Sequence, residues 1–241
     1  MGEQRTTLLL TGAAGRVASL ITNMLRESFA LRRLDIRELE AVRDDVVIQC
    51  DVRDLAALTD ACRGARAIVH LAAEPDEADF RTLLLPKNVD GTWAAFEAAA
   101  QAGVPRFIFA SSIQTVDGYP PETFVSVEMP PRPVSVYGCT KVFGEAVGRL
   151  YADTRGLGVA CLRIGAVTSA DNPRLPTDQR FRSLWCEPSD LARLVIAAVR
   201  SDASFATVHA VSPPATSRFD TSNPFGWMPT HEPGTPGEPA A

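Results

Sequence analysis

Apolar residues fall in short runs at regular intervals along this chain. Thr7-Leu-Leu-Leu-Thr11 has the length and continuity of a strand buried on both faces. It runs directly into Gly12-Ala-Ala-Gly15-Arg-Val-Ala18, and from Val17 onward Leu20, Ile21, Met24 and Leu25 recur at helical spacing. The alternation then repeats. Leu31-Arg-Arg-Leu34 ends in Asp35, Val46–Cys50 leads into Asp51-Val52, Ala67–Leu71 opens into Ala72-Ala73, and Arg106–Ala110 runs into Ser111-Ser112. Helical stretches lie at Leu55–Cys62, alanine-rich Asn88–Ala102, Val136–Tyr151 and Pro188–Arg200; Ala206–Val211 is strand-like. Nearly all-apolar strands alternating with helices predict an α/β fold, a doubly wound parallel sheet covered on both faces. Ligands of such sheets lie beyond the carboxyl ends of the strands, where Gly12, Asp35, Asp51, Ala72 and Ser112 converge.

Two stretches carry candidate chemistry. A strand, a glycine turn and a helix start offer free backbone N–H groups to a pyrophosphate. Gly12 permits the turn, Gly15 lets the backbone approach the phosphates, and Ala18 is small enough for close helix–strand packing. Asp35, 23 residues after Gly12, has the spacing of an acid that bonds an adenosine 2′-hydroxyl, which favours NAD over NADP. Arg37 beside it leaves a route to a 2′-phosphate. In the second stretch, Tyr137 and Lys141 are four residues apart and share one helix face. An ammonium beside a phenol favours the phenolate, so the pair is a candidate proton-transfer group with the tyrosine pKa held down.

Composition narrows the classes. The 241 residues suffice for one sizeable core, and 46% apolar with 22% charged residues is ordinary globular composition. A net charge of -5 with no basic run argues against nucleic acid as a partner. No apolar run approaches the ~20 residues of a membrane helix. The five cysteines are scattered and never in a Cys-x-x-Cys pair, as expected of a reduced, cytoplasmic protein without disulfides or zinc. His70 and His209 sit in apolar strands and read as core histidines; no His, Cys and carboxylate cluster has ligand spacing, so no metal is expected.

Several elements in one order carry a resemblance. They are Thr11-Gly-Ala-Ala-Gly15, Asp51-Val52, His70-Leu-Ala-Ala73, Asn88-Val-x-Gly-Thr92, Ala110-Ser-Ser112, Tyr137-x-x-x-Lys141 and Leu162-Arg-Ile-Gly165. Over about residues 6–211 the chain resembles the extended short-chain dehydrogenases/reductases, the NAD-dependent epimerase/dehydratase group. Within it the chain looks most like uronate dehydrogenases, through Tyr137–Glu145, Arg163-Ile-Gly165, Arg180 with Trp185, and Gly226-Trp227. The resemblance implies a Rossmann fold and an NAD-dependent dehydrogenase acting on a hydroxyl or hemiacetal carbon of a small, possibly sugar-derived, uronate-like substrate. An epimerase or dehydratase with retained NAD, and a non-catalytic NAD(H)-binding sensor, are the alternatives.

It further implies Tyr137 as proton acceptor, Lys141 on the nicotinamide ribose, and Ser112 orienting the substrate oxygen. Gly12, Gly15, Arg16, Val17, Asp35, Asp51, Val52, Leu71, Ala72, Ala73 and Asn88 would line the cofactor cleft, and Ile113, Gln114 and Arg180 would join Ser112 at the substrate, with Arg180 on a carboxylate. A homodimer through Asn88–Ala102 and Val136–Tyr151 is a further implication. The pocket departs from uronate dehydrogenases, which carry Asn-His where Ile113-Gln114 stand and a serine at Ala166. The implied organisation is a cofactor domain over residues 1–165 and a small C-terminal substrate lobe over 166–228. That lobe includes a lid-like loop, Ser169–Ser183; a disordered tail, 229–241, follows it.

Overall fold

The structure is a computed structural model that describes residues 5–169, 172 and 178–232. In chain order its elements are β1 (Thr7–Thr11), α1 (Arg16–Ser28), β2 (Ala30–Asp35), β3 (Val46–Gln49), α2 (Leu55–Cys62) and β4 (Ala67–His70). A wide π-helical segment, Phe80–Asp90, leads into α3 (Gly91–Gln101), then β5 (Arg106–Ser112), α4 (Val136–Arg155) and β6 (Gly158–Ile164). The short β7 (Ala166–Val167), α5 (Gln179–Arg182) and β8 (Trp185–Cys186) precede α6 (Pro188–Arg200) and β9 (Phe205–Ala210).

Seven strands form one parallel sheet in the order β3-β2-β1-β4-β5-β6-β9. Side chains on a strand alternate faces, and β1 uses this to join two cores. Leu8 and Leu10 pack with Ile21 and Leu25 of α1 and Leu191 and Val195 of α6. Leu9 faces the opposite layer with Leu58 of α2, Phe96 of α3 and Tyr151 of α4. Chain progression reverses direction between β1 and β4, so their carboxyl ends open a crevice at the topological switch point.

Two features were not legible as such. The helix expected from Asn88 begins at Phe80, because its first turns are bonded i→i+5: Leu84 N–H donates to Asp79 O, and Gly91 N–H to Pro86 O. Pro86 lies inside this segment, and the wider helix accommodates it. Within 166–228, β9 pairs with β6 and α6 packs on α1, so much of that segment is sheet and covering layer. A separate small core of Ile113, Val116, Val125, Val211, Ala215 and Phe219 forms a cap near the strand ends.

The expected tail divides. Residues 229–232 lie on the start of α6, where Asp190 accepts from the backbone N–H groups of Thr230 and His231, both at 3.2 Å, and from Ser212 Oγ at 2.6 Å. Trp227 Nε1 donates to the Asp190 carbonyl at 3.0 Å. Residues 233–241 fall outside the described residues, as do 170, 171 and 173–177 of the lid-like loop. Among the described residues no helix is long and apolar enough to cross a membrane.

Candidate active site

The glycine turn is built by close approach. Gly12 has φ +67°, and a Cβ there would lie 2.6 Å from Ala72 N, inside the exit of β4. A Cβ on Gly15 would lie 2.9 Å from the Gly12 carbonyl. α1 starts at Arg16 with no side-chain cap and no acid in its first turn, so its leading N–H groups face the crevice unmatched. The cavity above them measures about 610 Å³ and runs from the glycine turn past Asp35 to Asp51. A small-residue cradle, an uncapped helix start and a buried carboxylate at the next strand end fit a dinucleotide.

Asp35 is buried and tightly held. Its Oδ2 accepts from Ala14 N–H at 2.9 Å, and Oδ1 accepts from Arg37 N–H at 2.9 Å and Arg37 Nε at 3.2 Å. Asp51 pairs with Arg53, Nη2 to Oδ2 2.5 Å, which pulls its carboxyl below the usual range. Arg16, Val17, Val52, Leu71, Ala72 and Ala73 line the same cavity. Arg53, Glu74 and Lys87 line it too and carry no signal in the sequence pattern; Lys87 Nζ bonds Glu74 Oε2 at 2.6 Å.

Asn88, expected at the cofactor cleft, braces Glu74 of its wall and is not itself among the lining residues. Its Oδ1 accepts from Glu74 N–H at 2.7 Å while Nδ2 donates to Glu74 O at 3.1 Å and Thr140 Oγ1 at 3.2 Å. Glu77 Oε2 accepts from Tyr137 N–H at 2.9 Å. The loop leaving β4 is therefore pinned to α4 at two points.

A second cavity of about 250 Å³ adjoins the first, and Arg16, Val17, Leu71, Ala73 and Pro75 line both. Ser112, Tyr137 and Lys141 meet in it. α4 can sit this low on β5 because Gly144 has no side chain; a Cβ there would fall 2.2 Å from Phe109 Cζ. Ser135 caps the helix, accepting from Gly138 N–H at 2.9 Å while donating to Gln114 Oε1 at 2.6 Å. Lys141 Nζ donates to the Ala110 carbonyl at 2.9 Å and lies 5.5 Å from the centre of the Tyr137 ring.

The electrostatics depart from the expectation that Lys141 lowers the Tyr137 pKa. Burial pushes Tyr137 up to about 12; the Ser112 hydrogen bond lowers it, Asp76 raises it and Arg16 lowers it. Burial alone pushes Lys141 down to about 8. Desolvation wins at both groups because each charged form would sit in an apolar enclosure. His70, beneath them, is held down to about 3 by burial first and the Lys141 charge second, and its Nδ1 is 2.9 Å from Thr11 Oγ1. It is a neutral core histidine.

Ile113 and Gln114 line the second cavity, whose far wall is Ile164, Ala166, Val167 and Leu184. Arg180, expected at the substrate, stands apart from these residues. It is absent from both linings, and its Nη2 bonds Asp117 Oδ2 at 2.6 Å; buried Asp117 also takes Arg218 Nη1 at 2.7 Å. Among the described residues no three His, Cys, Asp or Glu side chains converge as a metal site.

The profile of the NAD dependent epimerase/dehydratase family matches residues 8–204. L-arabinose 1-dehydrogenase (NAD(P)(+)) of Haloferax volcanii is 38% identical over 201 residues, covering 76% of this chain and 78% of the relative. Uronate dehydrogenase of Pseudomonas syringae pv. tomato is 35% identical over 217 residues, covering 88% and 77%. A mutant uronate dehydrogenase from Agrobacterium tumefaciens, solved in complex with NAD, superposes with a TM-score of 0.86 at 32% identity, covering 94% of this chain and 85% of that one.

Proposed function

The chain belongs to the NAD dependent epimerase/dehydratase family, and from that premise we propose that it is an NAD-dependent dehydrogenase oxidising a hydroxyl or hemiacetal carbon of a small sugar-derived substrate. The observation that carries the reading is the meeting of Ser112, Tyr137 and Lys141 in a cavity of about 250 Å³ that opens onto the glycine-turn cleft. That volume suits a single sugar ring rather than a nucleotide-sugar, which favours net oxidation over epimerisation. The relatives' names, an arabinose and a uronate dehydrogenase, point to the same class of substrate.

NAD, when bound, supplies the oxidant, its nicotinamide taking the hydride from the substrate carbon. Tyr137 Oη accepts the proton of the substrate hydroxyl. Ser112, hydrogen-bonded to that phenol, holds the substrate oxygen in line and stabilises the phenolate. Lys141 stands beneath the tyrosine in the second cavity, where its ammonium would hold the cofactor's ribose. Gly12 and Gly15 with the α1 N-terminus would hold the pyrophosphate, Asp35 the adenosine ribose, and Asp51 and Val52 the adenine side.

Exposed Trp93 on α3 and Val136 and Leu150 on α4 support a homodimer through these helices, testable by light scattering on the eluting protein. Five free cysteines suit a reducing cytoplasm.

The test is NADH formation from a panel of aldoses and uronates. Tyr137→Phe is expected to abolish turnover while NAD affinity stays within about twofold, because only a proton acceptor is removed. Turnover retained in that variant refutes the assignment.

A further inference from the structure

We infer that Asp76 makes the substrate pocket selective for a neutral aldose over a uronate or a sugar phosphate. The inference rests on the dehydrogenase reading above and concerns the same cavity. Among the described residues Arg16 and Lys141 are the cations that line the pocket, and Arg180 lies outside it. Arg180 is held on Asp117, which Arg218 shares. Lys141 is buried beneath Tyr137 with its head on the Ala110 carbonyl. Arg16, the first residue of α1, lines both cavities, and a pyrophosphate on the glycine turn would bring compensating negative charge to it.

Against these stands one carboxylate in the wall. Asp76 Oδ1 accepts from Glu77 N–H at 2.9 Å, and Oδ2 has no hydrogen-bond partner among the described residues. The loop holding it cannot drift far: Glu77 is tied to the Tyr137 N–H, and Asn88 grips Glu74 on the other side. The field of Asp76 reaches the reacting end of the pocket, since it raises the Tyr137 pKa. A carboxylate with an open oxygen accepts strong hydrogen bonds from sugar hydroxyls, and at the same distance repels a carboxylate or phosphate on the ring. Ile113, Ala166, Val167 and Leu184 of the same lining carry no donor, and the donors beside them, Ser112 and Gln114, are neutral and so bring no positive charge against that repulsion.

Matched substrates isolate the effect. Steady-state kinetics of the full chain with NAD would compare galactose with galacturonate, glucose with glucuronate and glucose 6-phosphate, and arabinose as a further neutral sugar. The expected result is kcat/KM at least about tenfold higher for the aldose of a pair, the size of one charge-assisted contact. Asp76→Asn keeps the acceptor for Glu77 N–H and removes the charge. It is expected to raise KM for aldoses about five- to twentyfold and to narrow the aldose-to-uronate ratio. Asp76→Lys is expected to reverse the preference. NAD affinity, read by fluorescence titration, stays unchanged in both variants and verifies the fold.

Preference of the unmodified protein for the uronate or phosphate, or an unchanged ratio in Asp76→Asn, overturns this inference and leaves the dehydrogenase reading standing. NAD binding with no NADH from any of these sugars overturns both.

Discussion

Lys141→Met is expected to make the fold more stable while destroying its activity. The ammonium is buried and its pKa is pushed from 10.5 down to about 8 by desolvation alone. That drop corresponds to roughly 3 kcal/mol of destabilisation at neutral pH, at about 1.36 kcal/mol per pKa unit. Met fills nearly the same volume without the charge but gives up the hydrogen bond to the Ala110 carbonyl, a loss of about 1 kcal/mol. The net gain of about 2 kcal/mol translates into a rise in Tm of roughly 4–8 °C for a domain of this size.

The pH dependence separates this cause from better packing. The folded lysine releases its proton near pH 8 and the unfolded one near 10.5, so between those values the unfolded chain binds more protons. The unmodified protein therefore gains stability as pH rises through that window, and the variant has no such gain. Thermal unfolding followed by circular dichroism, without NAD, at about pH 7 and about pH 10 reads the difference; other titrating groups cancel between the two proteins. A Met variant less stable at neutral pH, or an advantage that does not shrink at alkaline pH, would refute the argument.

Three further outcomes follow from the same geometry. Because burial holds Tyr137 up at about 12, oxidation should accelerate as pH rises from about 6 to 8, and a flat profile would remove the phenol as the base. Gly12→Ala places a Cβ 2.6 Å from Ala72 N at a positive φ, so NAD affinity by calorimetry should fall by at least about a hundredfold. Glu145→Ala strips buried Arg163 of both its carboxylate bonds, each 2.9 Å, and Ser111 of its acceptor; the expected cost of about 3–5 kcal/mol is measurable by urea unfolding.

Much of the frame was legible because local pattern and tertiary role coincide. Leu8–Leu10 is apolar throughout since both faces of β1 are covered, and Gly12 follows the strand because only a residue without Cβ clears Ala72. Tyr137 and Lys141 share a helix face by spacing alone. Other details depend on contacts distant in sequence. Arg180 reads as the grip on a sugar carboxylate, and its bond to Asp117, 63 positions away, leaves no mark in the local pattern. Asn88 belongs to a conspicuous motif, but whether it faces a cleft or braces a loop depends on Glu74 and Thr140, which no periodicity brings together. The burial that raises the Tyr137 pKa is hidden for a related reason: the sequence shows which charges are neighbours and is silent on how dry the site is.

That dryness also bears on when the base acts. Burial biases Tyr137 toward the phenol and Lys141 toward the amine, so the ligand-free site disfavours the charge-separated pair that proton transfer needs. The groups that pull Tyr137 back down are Ser112 and Arg16, one at the end of β5 and one at the start of α1. Arg16 lines both cavities and Ser112 the second, so the groups that offset the burial of the phenol belong to the lining of the cleft. Asp76 acts from the same lining in the opposite sense. A neutral sugar that hydrogen-bonds Asp76 spreads its charge and weakens that opposition, whereas a uronate adds a second negative charge beside the forming phenolate. Substrate choice and proton transfer are thereby coupled through one loop carboxylate.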